Sequence, residues 1–143
     1  MQKTDNRTVG GKFEQDMAQR LADGGFWVHV LQQNKAGQPA DIIAVKGNYH
    51  CLIDCKEVST DRGFVLTRAE ENQRLAMKKF ADRGNHICWF AVKYMDGTIR
   101  MISINSVLLA EKLSMKAISE VSSEQFMTAK EWVWVIDKQQ EEK

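Results

Sequence analysis

Hydrophobic and polar residues repeat along this chain with two periods, and these periods predict where helices and strands form. Helices are predicted at about 11–22, 67–82 and 106–113. The first carries its apolar residues on one face and is followed by Gly24-Gly25, a signal that ends helices. At the start of the second, Thr67 stands three residues before Glu70, which is the capping-box spacing.

Strands are indicated by short segments rich in β-branched and aromatic residues. They lie at about 26–32, 40–45, 49–58, 86–95, 98–104 and 131–136. Gly47-Asn48 and Asp96-Gly97 predict tight hairpins between neighbouring pairs of these strands. The resulting order, α-β-β-β-α-β with further elements after it, predicts an α/β fold in which helices flank a mixed sheet.

Composition narrows the class of protein. The chain has 143 residues, of which 43% are hydrophobic and 27% are charged, as expected of a globular protein. We expect a single domain over residues 1–143, with a core at about 10–105 and an added helix and strand at about 106–137. The net charge of +1 does not by itself indicate a polyanionic partner, so any nucleic-acid surface should be local.

Cysteine usage and hydropathy favour an intracellular protein. An odd set of three cysteines, Cys51, Cys55 and Cys88, favours reduced thiols over a disulfide framework. Cys51 and Cys55 share the apolar face of one predicted strand, so core thiols are favoured over a metal site. The polar N-terminal residues and the lack of a bilayer-length apolar run predict a cytoplasmic protein that makes no membrane contact.

The candidate chemistry lies on the two strands of the first predicted hairpin. Alternate residues of a strand face the same side, so Asp54 and Lys56 project together, and Asp41 begins the neighbouring strand. Two carboxylates and an ammonium would then converge at one end of an apolar sheet, where charged groups need compensation. A Mg²⁺ ion provides it, since it binds one or two carboxylates together with waters and phosphate oxygens. The alternative is an ordinary buried salt bridge between Lys56 and one of the aspartates.

Two further polar residues are predicted to face inward. Glu14 lies within the apolar arc of the first helix, and Gln73 lies in the middle of the apolar stripe of the second. An inward glutamate favours a cation or metal partner, whereas a buried glutamine satisfied by backbone groups is an equally ordinary interpretation. Inward polar residues on four separate elements favour one common site.

The pattern resembles the PD-(D/E)XK nuclease superfamily and, within it, most closely the RecU-type Holliday junction resolvases. The resemblance covers most of residues 6–95 and is carried by Asn6-Arg7, Gly11 to Asp16, Asp41, Val45 to Tyr49, Leu52 to Glu57, Phe64 to Leu66, Asn72-Gln73 and Met77. It implies the restriction-endonuclease-like α-β-β-β-α-β core. The chain departs from the family in having Asp54 where glutamate is usual, and in lacking the long stalk of RecU proteins before Asp41. The smaller archaeal-type resolvases also lack this stalk.

The resemblance implies a set of roles. Asp41, Asp54 and the backbone carbonyl of Cys55 would bind Mg²⁺, or Mn²⁺ in its place, and Glu14 would be a further ligand. Lys56 would be the catalytic lysine and Gln73 a supporting residue. The implied function is a homodimeric Holliday junction resolvase acting on branched DNA in homologous recombination and repair. The alternatives are a structure-specific or general DNA endonuclease of the same fold, and a non-catalytic DNA-binding accessory protein.

Other candidate DNA contacts are weaker. Lys12, Lys35, Arg62 and Arg74 could bind phosphates, although a solvated surface explains each of them equally well. The four tryptophans lie in strand-like segments and are expected to be packing residues, although an exposed one could stack on a base.

Overall fold

The computed structural model describes residues 11–31, 40–58, 64–118, 124–126 and Trp132. The helices are α1 (Lys12–Asp23), α2 (Glu71–Asp82) and α3 (Ile104–Lys112). The strands are β1 (Trp27–Val30), β2 (Ile42–Lys46), β3 (Tyr49–Glu57), β4 (Phe64–Val65), β5 (Trp89–Lys93), β6 (Ile99–Ser103), β7 (Ala117–Ile118) and β8 (Glu124–Phe126). None of these helices is long and apolar enough to cross a membrane.

Six of the strands form one mixed sheet in the order β1-β2-β3-β5-β6-β8. Strands β3 and β5 pair in parallel, because the chain crosses one face of the sheet through α2 between them. The other neighbours pair antiparallel, and the two predicted hairpins, β2–β3 and β5–β6, are both present. Strands β4 and β7 form a separate two-stranded ladder. The predicted α/β class with a mixed sheet is therefore confirmed.

Helices cover both faces of the sheet and so divide the core in two. Helix α1 packs Phe13, Met17 and Leu21 against one face. Helices α2 and α3 pack Met77 and Val107 against the other face. Strand β3 runs between these layers, so its central residues are buried whichever face they point to. A polar residue in this part of β3 is therefore removed from water.

Helix α2 begins later than predicted. Residues 66–68 form a short 3₁₀ turn, and the regular helix starts at Glu71. Glu70 precedes that helix in an extended conformation and makes no side-chain cap hydrogen bond, so the capping box proposed for Thr67 and Glu70 is wrong. The 3₁₀ turn takes the place of the expected first turn because residues 64–65 pair with β7, which lies far ahead in the sequence.

Two C-terminal predictions also change. Helix α3 starts at Ile104, two residues early, because Ser103 caps it by accepting a hydrogen bond from the Ser106 N–H at 3.1 Å. The strand predicted at 131–136 lies mostly outside the described residues. Trp132, the part of it that the structure describes, is helical and buried, with its ring packed near Phe26. Trp132 therefore packs in the core, although it does not belong to a described strand.

Candidate active site

The β2–β3 hairpin places Asp41 and Asp54 opposite each other. Ile42 pairs with Ile53 in the register, so the next residues outward are the two aspartates. The Asp41 N–H donates to the Ile53 carbonyl at 3.1 Å, which continues the ladder by one step. The Cys55 N–H donates to Oδ2 of Asp41 at 2.8 Å. These two backbone contacts hold the Asp41 carboxylate against β3, beside Asp54.

Asp54 is the most deeply buried charged residue of the described core, with 1% of its surface exposed. Its Oδ1 accepts a hydrogen bond from Nε2 of Gln73 at 2.9 Å. Its Oδ2 lies 3.2 Å from Nζ of Lys56, close enough for an ion pair but not aligned as a hydrogen bond. The Lys56 side chain is 14% exposed, so its ammonium lies between the buried carboxylate and solvent. The structure thus brings Asp41, Asp54, Lys56 and Gln73 together.

The electrostatics of Asp54 are unusual for an aspartate. Burial raises the pKa of Asp54 most, and the neighbouring Asp41 raises it further; Lys56 opposes both, leaving the pKa at about 8. Asp41 and Asp54 therefore lie side by side, and the Lys56 ammonium pairs with Asp54. Burial and the mutual repulsion of the two carboxylates both disfavour the charged form of Asp54, and a divalent cation would relieve both.

Glu14 approaches the cluster from the opposite face of the sheet. It lies in the first turn of α1, and its carboxylate folds back so far that a Cβ on Gly11 would come within 2.6 Å of Oε1. Its charge acts on the Cys55 thiol of β3. Burial raises the pKa of Cys55, and the charges of Asp41, Asp54 and Glu14 raise it further. Glu14 and the two aspartates thus act on the same thiol, which is in β3.

The cluster is built around two carboxylates. Among residues 11–31, 40–58 and 64–118, no three His, Cys, Asp or Glu side chains are grouped closely enough to hold a metal ion by themselves. Glu14 as a further ligand, like the Cys55 carbonyl, stays a prediction. The three cysteines are free thiols, as expected.

The predicted DNA contacts are only partly described. Lys12 is exposed at the first residue of α1. Arg74 forms an ion pair with Glu111 of α3, so its guanidinium is already engaged within the protein. Lys35 and Arg62 lie outside the described residues.

Arg68 is a cation near the site that the sequence patterns did not reveal. Its guanidinium donates to the Glu57 carbonyl at 3.0 Å, one residue beyond Lys56. The pattern placed Arg68 inside a helix, and only the 3₁₀ turn brings it to the end of β3. No local signal could have identified it, since the contact joins residues of two separate elements.

Comparison with known families adds an independent observation. A model of the archaeal Holliday junction resolvase family, Hjc, matches residues 5–139. The chain belongs to the Hjc family. The structure is also similar to that of Archaeoglobus fulgidus Hjc, a Holliday junction resolvase from an archaeal hyperthermophile, with a TM-score of 0.53 and 18% identity over 66% of this chain and 76% of that chain. That likeness shows a shared fold. No curated protein matches the chain.

Membership of the Hjc family makes the chain a junction-resolving endodeoxyribonuclease, which hydrolyses phosphodiester bonds. The predicted nuclease class is therefore confirmed, as is the restriction-endonuclease-like fold. The closer resemblance to RecU-type resolvases is not confirmed, because the matching model is the archaeal one. Nucleases of the Hjc family generally depend on a divalent metal.

Proposed function

We propose that this Hjc-family chain cuts four-way DNA junctions with Mg²⁺, and that Asp41, Asp54 and Lys56 form its active site. The observation that carries the proposal is the Asp54 carboxylate, which is 1% exposed, opposite Asp41 and 3.2 Å from the Lys56 ammonium. A purely structural ion pair would not need a second carboxylate beside the first, since the added negative charge costs stability. A site that binds a divalent cation does need it.

The residues present fit a hard divalent ion. The side-chain donors are carboxylate oxygens, which Mg²⁺ prefers, and Mn²⁺ accepts the same ligands. Oδ2 of Asp54 is buried and accepts no hydrogen bond from the described residues, so a lone pair is available there. Asp41, Asp54 and the neighbouring Cys55 carbonyl would hold the ion, with Glu14 as a further ligand. When bound, the ion supplies Lewis acidity towards the phosphate and lowers the pKa of a bound water.

The side chains of the chain have separate tasks in this site. The Lys56 ammonium, held beside Asp54 and partly open to solvent, would neutralise charge that develops on the scissile phosphate or orient the attacking water. Gln73 positions Asp54 through its hydrogen bond to Oδ1. The Cys55 N–H positions Asp41 in the same way. The Cys55 N–H belongs to the backbone and Gln73 lies on the buried face of α2, so both donors are fixed. They keep the two carboxylates in place before substrate binds.

We further propose that the active form is a homodimer that acts in homologous recombination. A four-way junction has approximate two-fold symmetry, and two copies related by a two-fold axis would cut two opposed strands. Paired cuts are what resolve a junction into two duplexes.

The test compares a labelled four-way junction with the matching linear duplex, in Mg²⁺ and in EDTA. Paired, Mg²⁺-dependent nicks in the junction alone support the proposal. Cleavage of both substrates would keep the active site but move the activity to a general DNA endonuclease. Junction binding without cleavage of either substrate would contradict the proposal and favour an accessory DNA-binding protein.

A further inference from the structure

Strand β1, at the edge of the main sheet, carries an exposed pair of aromatic side chains. Trp27 is 62% exposed, although tryptophan is normally well buried. His29, two residues along the same strand, is also exposed. The two rings lie 6.2 Å apart between centroids, with their planes only 10° from parallel. An ordered, solvent-facing indole of this kind contributes little to the core.

The aromatic pair faces the same side of the sheet as the two aspartates. In β2, Ile42 and Ala44 point towards α1 and are buried, whereas Ile43 and Val45 point to the other side and are only half-buried. Trp27 pairs with Val45, so the Trp27 side chain lies on the same side of the sheet as that of Val45. The alternation of β2 puts Asp41 on this side as well.

Among the described residues, α2 packs over β3 and leaves the Trp27 end of β1 exposed. Helix α2 contacts β3, where Gln73 meets Asp54, and Ile43 of β2 packs against the same core cluster, whereas Trp27 of β1 stays 62% exposed. His50, which pairs with Val45 in the register, is likewise only half-buried. The exposed aromatic pair thus lies at the edge of the sheet, and the packed residues Ile43 and Leu52 separate it from the two carboxylates on the same side.

We propose that Trp27, with His29 stacked beside it, binds an unstacked nucleobase of the DNA junction. This inference rests on the proposed function in one respect, since it takes Asp41 and Asp54 as the place where DNA is cut. Val45, the partner of Trp27, is four residues from Asp41, or about 13 Å along a strand. That distance corresponds to about four nucleotide steps. The ligand is thus a base on the cut strand or its neighbour, within about four nucleotides of the scissile phosphate.

A nucleobase fits this patch better than a second copy of the chain does. The exposed apolar surface on β1 is one indole and one imidazole, and a tryptophan contributes at most about 250 Å². A stable dimer needs about 800 Å² from each partner. Two near-parallel aromatic planes, in contrast, match the stacking mode by which proteins hold unpaired bases without reading their sequence.

The test measures junction binding and cleavage separately for Trp27→Ala and Trp27→Phe. Binding is measured by fluorescence anisotropy in EDTA, and the single-turnover cleavage rate at saturating protein in Mg²⁺. We expect Trp27→Ala to raise the Kd about five- to hundred-fold while the rate at saturation changes less than about threefold. Trp27→Phe should recover most of the affinity. Leu109→Ala, which truncates a side chain of similar exposure (56%) on α3, should leave the Kd unchanged.

The site of stacking is tested with junctions that carry 2-aminopurine at single positions around the cut. We expect wild-type protein, but not Trp27→Ala, to change the probe's fluorescence at one position within about four nucleotides of the cut. An unchanged Kd for a folded Trp27→Ala protein would overturn the inference. So would a loss of binding that tracks a change from dimer to monomer in sedimentation, which would mark β1 as a contact between copies. If instead the proposed function fails, the wild-type chain binds the junction without cleaving it. Trp27→Ala would then still raise the Kd, so the two failures are distinguishable.

Discussion

Replacing Asp54 by asparagine should stabilise the metal-free protein at neutral and alkaline pH while removing its cleavage activity. Asparagine has the shape of the protonated aspartate but carries no charge. In the folded protein the pKa of Asp54 is about 8, raised from 3.8 by burial and by Asp41. The folded state therefore binds a proton more tightly than the unfolded chain does. The stability due to this proton is fully present below pH 4 and is lost as pH rises through 8.

The size of the effect follows from the same shift. Each unit of pKa difference corresponds to about 1.4 kcal/mol, so the wild-type protein loses up to about 5 kcal/mol between pH 4 and pH 8. Asp54→Asn avoids this loss. We expect no difference between the two proteins at pH 3, about 1 to 2 kcal/mol in favour of the variant at pH 5, and up to about 5 kcal/mol at pH 8. At this chain length the last figure corresponds to about 10 °C or more in Tm.

The assay is thermal unfolding of both proteins in EDTA from pH 3 to pH 8. The matched control is Asp82→Asn, the same chemical change at an exposed carboxylate that pairs with Lys78 on the surface of α2. The control should stay within about 0.5 kcal/mol of wild type throughout. Mg²⁺ at pH 8 should raise the Tm of the wild-type protein more than that of Asp54→Asn. A variant that is less stable than wild type at pH 8, or a difference that does not grow with pH, would refute the reasoning.

Three further variants test the rest of the site. Lys56→Ala should lower the single-turnover cleavage rate by about 10²-fold or more, with junction Kd in EDTA nearly unchanged; equal losses of both would support a structural role instead. Gln73→Ala removes the hydrogen bond to Asp54 Oδ1, so the pKa of Asp54 should rise further. The pH–rate profile should then move to higher pH. An unmoved profile would show that Gln73 does not position the carboxylate. Gly11→Ala forces the Glu14 carboxylate away from the start of α1. If Glu14 is a metal ligand, the cleavage rate should fall about tenfold while Tm stays unchanged. Wild-type activity would exclude that role.

Local patterns in the sequence were sufficient for the elements that form the site. Both hairpins could be predicted because glycine and its neighbours set the turns, and strand alternation alone places Asp54 and Lys56 on one face. The resemblance to PD-(D/E)XK nucleases followed from the same short segments. It identified the superfamily correctly but pointed to RecU rather than to the archaeal type, since short motifs are shared among its branches.

Tertiary structure decided what depends on contacts between distant segments. The start of α2 moved to Glu71 because residues 64–65 pair with β7, a contact that no local period encodes. The guanidinium of Arg74, a candidate phosphate contact in the sequence, pairs with Glu111 thirty-seven residues further along.

The exposure of Trp27 was decided in the same way. A tryptophan in a strand looks like a core residue until the position of the covering helix is known, and here α2 packs over β3 and leaves β1 open. The sequence by itself determined the order of elements and the chemistry available on each strand, because both are set by residues close together in the chain. Only the tertiary structure decided which of those side chains meet, which are buried, and hence the raised pKa of Asp54, because burial and charge proximity arise from long-range packing.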